Sequence, residues 1–186
     1  TITPFTADNK VNEQAMRDVM SMNIRFDNKV AVVTGGTTGI GLACAQLFGQ
    51  LGAKVAICGT NPTKLQKAAD GLKEKGITVF SETCDVASGE DLQRFADDTE
   101  KALGPIDIWV SNAALCPQYS ILDTDDALWD KTVDTNMKSV FLGAKIAFRK
   151  MKDRGGVILL ASSFAALFPS VGSGVYAATK AAVTSM

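Results

Sequence analysis

Short apolar runs alternate with longer segments of helical periodicity along most of the chain from Lys29 onward. Each run has five or six residues, and all except residues 78–83 are apolar at most positions, which is typical of strands that are covered on both faces of a sheet. Strands that alternate with helices in this way predict an α/β fold with a parallel sheet. We expect the five strands over residues 30–34, 54–58, 78–83, 106–111 and 156–161.

The segments between the predicted strands carry helix start signals. Asn61 followed by Pro62 predicts an N-cap and a first helical position, and Ser88 with Asp91 resembles a capping box in which Asp replaces the usual Glu or Gln. A long apolar periodicity predicts a further helix with a break or bend near Asn136. We expect helices over residues 40–50, 62–75, 88–103 and 125–152.

Residues 1–22 precede the first strand and do not share this alternation. Thr3-Pro4-Phe5 and Val11-Asn12-Glu13 resemble the opening of aldolases of the dihydrodipicolinate synthase type, but the likeness is confined to this segment. We therefore predict an N-terminal extension of unknown role with one helix near residues 13–20, and assign it no chemistry.

Length and charge restrict the possible partners. The 186 residues, 46% of them hydrophobic, can bury one sizeable core, and we expect one domain over residues 23–186. Nineteen basic and twenty acidic residues lack the basic excess that nucleic-acid binding needs. No apolar run is long enough for a membrane span. The four isolated cysteines are expected to be reduced core residues of a cytoplasmic protein.

Histidine is absent from the sequence. Its absence excludes Ser-His-Asp and Cys-His catalysis as well as histidine-ligated zinc, and we expect no metal site. Any proton transfer must therefore use another side chain.

A glycine-rich segment, Thr34-Gly35-Gly36-Thr37-Thr38-Gly39-Ile40-Gly41, lies where the first strand ends and the first helix begins. Gly35 permits a tight turn, Gly39 allows a ligand to approach the backbone, and Gly41 allows close packing. Because helix N-termini bind anions, this context predicts a site for the pyrophosphate of a dinucleotide. An ordinary strand-to-helix loop is the alternative.

Tyr176 and Lys180 lie four residues apart on a predicted helix and hence share a face. An ammonium near a phenol favours the phenolate, so the pair could supply acid/base chemistry in a chain without histidine. The alternative is an exposed Tyr/Lys pair of little consequence. Ser163, just past a strand end, could hydrogen-bond a carbonyl or alcohol oxygen, and its neighbour Ser162 competes for that assignment.

Taken together, these motifs resemble the short-chain dehydrogenase/reductase family from about Phe26 to Met186. The elements occur in the family order, with Asp85-Val86 after the third strand and Asn112-Ala113 after the fourth. The full set is Thr34–Gly41, Asp85-Val86, Asn112-Ala113, Asn136, Ser163 and Tyr176-Ala177-Ala178-Thr179-Lys180.

The resemblance implies a role for each catalytic residue. Tyr176 would be the general acid/base, and Lys180 would bind the nicotinamide ribose and activate Tyr176. Ser163 would orient the substrate oxygen, and Asn136 would hold a water in the proton relay. Hydride would move between a small-molecule carbonyl or alcohol and nicotinamide C4. The implied coenzyme-binding residues are Gly35, Thr37, Thr38, Gly39, Ile40, Gly41, Thr60, Asp85, Val86, Asn112, Ala113, Tyr176 and Lys180.

The choice of coenzyme depends on the end of the second strand. A carboxylate there favours NAD, whereas Cys58-Gly59-Thr60-Asn61 has none. Members of the family that use NADP often have a basic residue at the position of Thr38 or Thr60, and this chain has threonine at both positions. Thr60, Asn61 or Lys64 could bind a 2′-phosphate, so NADP is favoured and NAD stays open. Ala114, where the family commonly has glycine, adds a methyl group beside the coenzyme.

The resemblance also implies a Rossmann-like, doubly wound parallel sheet of strand order 3-2-1-4-5, with the family's C-terminal strands missing. The chain stops at Met186, six residues after Lys180, so we expect it to be part of a longer protein and to catalyse little alone. Without a further strand, the fifth would be an exposed apolar edge. A homo-oligomer, dimer or tetramer, is expected. The alternatives are a non-catalytic nucleotide-binding or scaffold protein, and an isomerase or dehydratase on the same scaffold.

Overall fold

The structure, a computed structural model, describes residues 24–186. The predicted N-terminal extension, with its helix near residues 13–20, lies outside the described residues. Residue 23, where the predicted domain begins, also lies outside them.

Five parallel strands form one sheet in the order β3-β2-β1-β4-β5, which confirms the predicted topology. β1 is buried at every position, because it lies in the middle of the sheet and helices cover both faces. The order reverses on either side of β1, so the carboxyl ends of β1 and β4 flank the topological switch point. The strands are β1 Val30–Thr34, β2 Lys54–Gly59, β3 Val79–Thr83, β4 Ile108–Ser111 and β5 Val157–Leu160.

The helices begin at the predicted caps. The side chain of Asn61 accepts a hydrogen bond from Lys64 N at 2.9 Å, and that of Ser88 accepts one from Asp91 N at 3.2 Å. The helices are α1 Gly39–Gln50, α2 Pro62–Lys73, α3 Gly89–Leu103, α4 Asp126–Val133, α5 Ser139–Met151 and α6 Gly174–Thr184, with a short 3₁₀ helix over Phe164–Ala166.

The predicted break near Asn136 is a π-helical turn over Asp134–Lys138 that joins α4 to α5. Ser139 N bonds to Asp134 O, five residues back, so the helix continues through one wide turn and does not stop. The location was predicted and the form was not, since periodicity alone cannot distinguish a bend from a bulge.

Two apolar clusters lie on the two faces of the sheet. Trp109, Phe95 and Ile146 belong to the cluster under α3 and α5, and Ile57 and Leu72 to the one under α1 and α2. This division is that of a doubly wound fold. It fixes the sheet between helical layers and leaves the carboxyl ends of the strands as the place where loops meet.

The cysteines only partly follow the prediction. Cys58 and Cys84 are buried, Cys44 is partly buried and Cys116 is exposed, so the prediction of a core residue was wrong for Cys116. Cys116 lies in the loop after β4, where the backbone leaves the sheet. The pKa of the Cys58 thiol is raised, chiefly by a hydrogen bond with Cys84 and also by burial.

β5 is the outer strand on its side of the sheet, and the side chains of Val157 and Leu159 are about half exposed. This agrees with the expected apolar edge. None of the helices found in residues 24–186 combines the length and the apolar character that crossing a bilayer requires.

Candidate active site

A cavity of about 800 Å³ opens at the carboxyl ends of the strands, where the topological switch point lies. It brings together most of the predicted coenzyme-binding residues: Gly35, Thr37, Thr38, Ile40, Gly41, Thr60, Asp85, Val86, Asn112 and Ala113. Gly39, Tyr176 and Lys180 are not among its lining residues. Its volume lies within the range of small-molecule and cofactor sites, about 300–1,000 Å³.

The glycines of the turn differ in what surrounds them. Gly35 has a φ of +64°, and a Cβ on it would lie 2.8 Å from the Cα of Ala113. Gly39 has a φ of +55° and open space around it. A Cβ on Gly41 would collide with the carbonyl oxygen of Gly35 and lie 2.5 Å from Asn112 Nδ2. The turn is therefore tight at Gly35 and Gly41 and open to a ligand at Gly39.

Helix α1 starts without a side-chain cap. Its N-cap, Thr38, has extended backbone angles and no capping hydrogen bond, and the first turn contains no acidic residue. The α2 and α3 N-termini, by contrast, are capped by Asn61 and Ser88. The uncapped N–H groups and the positive end of the helix dipole suit a phosphate at this turn.

Thr34 and Asn112 hold the two sides of the switch point together. Thr34 Oγ1 accepts hydrogen bonds from Asn112 N at 3.0 Å and Ala113 N at 3.2 Å. Asn112 Nδ2 donates to Thr34 O at 3.0 Å and to Gly35 O at 3.3 Å. Asn112 therefore fixes the glycine turn against the end of β4, which agrees with a supporting position beside the cavity.

Asp85 lies on the opposite wall and is tied into the start of α3. Its carboxylate accepts from Ala87 N at 3.0 Å, and its backbone N–H donates to Asp91 Oδ2 at 3.1 Å. Arg94 bridges Asp91 and Glu82 at 2.8 and 2.7 Å. The hydrogen bond from Asp85 N and then that from Arg94 lower the pKa of Asp91 below its usual range. This wall is thus fixed by charge as well as by the cap at Ser88.

Tyr176 and Lys180 share a face of α6, as their spacing predicts. The Lys180 side chain is almost fully buried, and its Nζ donates to Ala161 O at 2.6 Å and lies 5.8 Å from the centre of the Tyr176 ring. Burial lowers the pKa of the Lys180 ammonium. Because Lys180 is buried, the pair is not the exposed Tyr/Lys pair that the sequence left open as an alternative.

The two neighbouring serines face different partners. Ser162 Oγ donates to Lys180 O at 3.0 Å and bonds to Thr184 Oγ1 at 2.6 Å, so it fastens α6 to the end of β5. Ser163 Oγ accepts from Ala165 N at 3.2 Å and caps the 3₁₀ turn. In residues 24–186 no acceptor is found for the Ser163 hydroxyl hydrogen, so this hydroxyl is able to donate to a further group, although Ser163 does not line the cavity.

Asn136 is fully buried in the π turn and its side-chain amide is occupied. Its Oδ1 accepts from Leu115 N at 2.7 Å, and its Nδ2 donates to Leu115 O at 2.7 Å and to Thr179 Oγ1 at 3.2 Å. The amide therefore joins the loop after β4 to α6. A water in a proton relay at this position would have to bond to the backbone of the turn.

Sequence reasoning did not select several residues that line the cavity. Lys131, Asp134 and Thr135 reach it from α4 and the π turn, and Lys131 is the only Lys or Arg side chain that lines it in residues 24–186. Their three- and four-residue spacing places them on one helical face, a signal that could have been read. Cys84, Ala87 and Leu115 also line the cavity and carry no comparable signal.

Comparison with known proteins agrees with this geometry. Residues 29–186 match the family model described as short chain dehydrogenase. The human protein "Dehydrogenase/reductase SDR family member 4" is 39% identical over 158 residues, which span 84% of this chain and 57% of that protein. The "NADP-dependent (R)-specific alcohol dehydrogenase" of Lentilactobacillus kefiri is 35% identical over 167 residues, 89% of this chain and 66% of that protein.

Solved structures give the same result. A short chain dehydrogenase from Mycobacterium smegmatis superposes with a TM-score of 0.84 at 31% identity and covers 87% of this chain, which spans 69% of that one. A variant of actinorhodin polyketide ketoreductase with NADPH superposes with a TM-score of 0.82 at 31% identity, over 84% of this chain and 61% of that one. The chain thus spans little more than half of the human relative and about two thirds of these structures.

Proposed function

The chain belongs to the short-chain dehydrogenase family, and we propose that the protein containing it interconverts a carbonyl compound and a secondary alcohol with NAD(P)(H) as coenzyme. The observation that carries the proposal is the buried Lys180 beside Tyr176, on a helix that is fastened to the sheet near the glycine-turn cavity. No histidine competes for the proton chemistry.

The residues present fit a dinucleotide. The open backbone at Gly39 and the uncapped start of α1 would hold the pyrophosphate, and Asp85 and Val86 would meet the adenine. Lys180 would bind the nicotinamide ribose with the hydrogens that Ala161 O does not use. When bound, the nicotinamide supplies a hydride donor or acceptor at ring C4.

Tyr176 would exchange a proton with the substrate oxygen, and the hydroxyl of Ser163 would orient that oxygen. Burial of Lys180 favours its neutral amine, whereas a phenolate or a ribose oxygen nearby favours the ammonium. A coenzyme ribose or a phenolate beside Lys180 would therefore raise its pKa relative to that in the unliganded protein. Asn136 would act through the π-turn backbone, because its side chain is bonded to Leu115 and Thr179.

We favour NADP over NAD. Gly59 and Thr60 line the cavity at the end of β2, where a carboxylate would repel a 2′-phosphate and none is present. The Lentilactobacillus kefiri relative is named NADP-dependent, and the ketoreductase structure contains NADPH. NAD remains the alternative coenzyme.

We further propose a cytoplasmic homo-oligomer. Trp129 on α4 and Phe141 and Phe148 on α5 are large apolar side chains that are about half exposed or more. Burial of these side chains between copies of the chain would remove their apolar surface from water.

A substrate panel assayed with both coenzymes tests the proposed function in the full-length protein. We expect turnover of a carbonyl compound with oxidation of NADPH, and the Tyr176→Phe variant should lose turnover while its coenzyme dissociation constant stays within about threefold of the wild type. Turnover retained by Tyr176→Phe would remove Tyr176 from its role. Coenzyme binding without any turnover would favour the scaffold alternative, and product formation without coenzyme oxidation would favour an isomerase or dehydratase.

A further inference from the structure

A chain of hydrogen bonds connects the loop after β4 to the carbonyl of Tyr176 and passes through Thr179. Asn136 Nδ2 donates to both Leu115 O at 2.7 Å and Thr179 Oγ1 at 3.2 Å. Thr179 Oγ1 in turn donates to Tyr176 O at 2.7 Å. Thr179 and Asn136 are 3% and 0% exposed, so water does not compete for these bonds.

We propose that Thr179 is a positioning residue for Tyr176, an inference that rests on the proposed function. Its hydroxyl accepts from Asn136 and donates to Tyr176 O, so both of its hydrogen-bonding roles are used at once. It is thereby the link between the π turn and the turn of α6 that carries the phenol.

The remaining attachments of α6 lie on another side. Lys180 Nζ bonds to Ala161 O, and Ser162 Oγ bonds to Lys180 O, so both fasten α6 to the segment after β5. Only the Thr179 bond in this set fastens it to the π turn that borders the cavity. Without it, α6 would still pack against the π turn but would lack this directional contact, so Tyr176 could shift relative to the cavity.

Such a shift would affect turnover more than binding. Proton transfer needs heavy atoms within hydrogen-bonding reach, and a misplacement of about 1 Å can cost about 100-fold in rate. The glycine turn, Asp85 and Asn112 do not depend on Thr179, so most coenzyme contacts would be unchanged. The expected signature is therefore a loss of kcat at nearly constant coenzyme affinity.

The test compares three variants of the full-length protein with the wild type. Thr179→Val keeps the shape and removes the hydroxyl, and Thr179→Ser keeps the hydroxyl and removes a methyl group. Thr132→Val is the matched control, because Thr132 is also buried, its Oγ1 bonds to a helical carbonyl, Leu128 O at 2.7 Å, and it does not line the cavity.

We expect Thr179→Val to lower kcat about 10- to 100-fold while its coenzyme dissociation constant stays within about threefold of the wild type. Thr179→Ser should keep kcat within about threefold of the wild type. Thr132→Val should leave kcat unchanged. If Thr179→Val does not fold, Thr179→Ala replaces it, since alanine removes the same hydroxyl and favours helix.

Two results would overturn the inference and leave the proposed function intact. The first is a wild type that turns over while Thr179→Val or Thr179→Ala keeps full kcat. The second is a serine variant as impaired as the valine variant, which would show that the hydroxyl and its two hydrogen bonds are not sufficient to position Tyr176. A wild type that binds coenzyme without turnover would contradict the proposed function, and this inference with it.

Discussion

Alanine substitutions at Gly35 and Gly39 separate the effect of a steric clash on stability from the effect of a blocked turn on coenzyme binding. Both have positive φ values, +64° and +55°, so alanine at either position pays the cost of the left-handed region, about 1–2 kcal/mol. Alanine also restricts the unfolded chain, which returns about 0.4–1 kcal/mol in both variants. These terms cancel when the two variants are compared.

What does not cancel is the contact that the new methyl group makes. At Gly35 a Cβ would lie 2.8 Å from Ala113 Cα, a backbone atom that cannot move without disturbing the end of β4. Overpacking of this kind costs about 1–3 kcal/mol. At Gly39 a Cβ meets nothing within 4 Å. Gly35→Ala should therefore be less stable than Gly39→Ala by about 1–3 kcal/mol.

The assay is equilibrium unfolding in urea without coenzyme, followed by a coenzyme titration of each folded variant. Gly71→Ala is the control, since Gly71 lies within α2 with open space around it and alanine there should stabilise by about 0.5–1 kcal/mol. Gly39→Ala should remain stable yet bind coenzyme more weakly, because its methyl group occupies the space of the ligand. Equal stabilities of the Gly35 and Gly39 variants would refute the steric argument, and unchanged coenzyme binding by Gly39→Ala would refute the assignment of the open turn.

Two further predictions concern charge at the two walls of the cavity. Since the pKa of Asp91 is lowered in the folded protein, the carboxylate stabilises the fold above the unfolded pKa, and this stabilisation is lost as pH falls through the folded pKa. Asp91→Asn should therefore flatten the acid limb of a plot of unfolding free energy against pH. An unaltered acid limb would contradict this prediction. Lys131→Gln should weaken binding of NADPH and reduce its salt dependence, whereas Lys145→Gln, which changes a lysine outside the cavity lining beside Phe141, should change neither.

Local patterns predicted the elements that burial and turn chemistry decide. The apolar runs identified all five strands, and most clearly β1, β2 and β4, because central parallel strands are covered on both faces. Asn61 and Ser88 identified two helix starts because caps act over three residues. β4 begins two residues later than predicted. The pairing with β1 starts at Ile108, opposite Ala31, so Ile106 is apolar because it is buried and not because it belongs to the strand.

The parts of the candidate site that were missed depend on contacts distant in sequence. Leu115 and Asn136 are 21 residues apart, and Asn136 and Thr179 are 43 apart, so no window of periodicity contains both partners of either hydrogen bond. A buried threonine on a helix also has the same local appearance whether it bonds only to its own helix, as Thr132 does, or to a second element as well. Tertiary structure decides between the two.

Transfer of a labelled hydride tests whether the protein containing this chain reduces a carbonyl with a nicotinamide coenzyme. NADPH carrying deuterium at both C4 positions of the nicotinamide is incubated with the full-length protein and a carbonyl substrate, and the product is analysed by mass spectrometry and NMR. The account predicts one deuterium on the new carbinol carbon for each coenzyme oxidised, and none when Tyr176 is replaced by phenylalanine. Product that forms without deuterium on that carbon, or labelled coenzyme that binds and is never oxidised by any substrate, would contradict it.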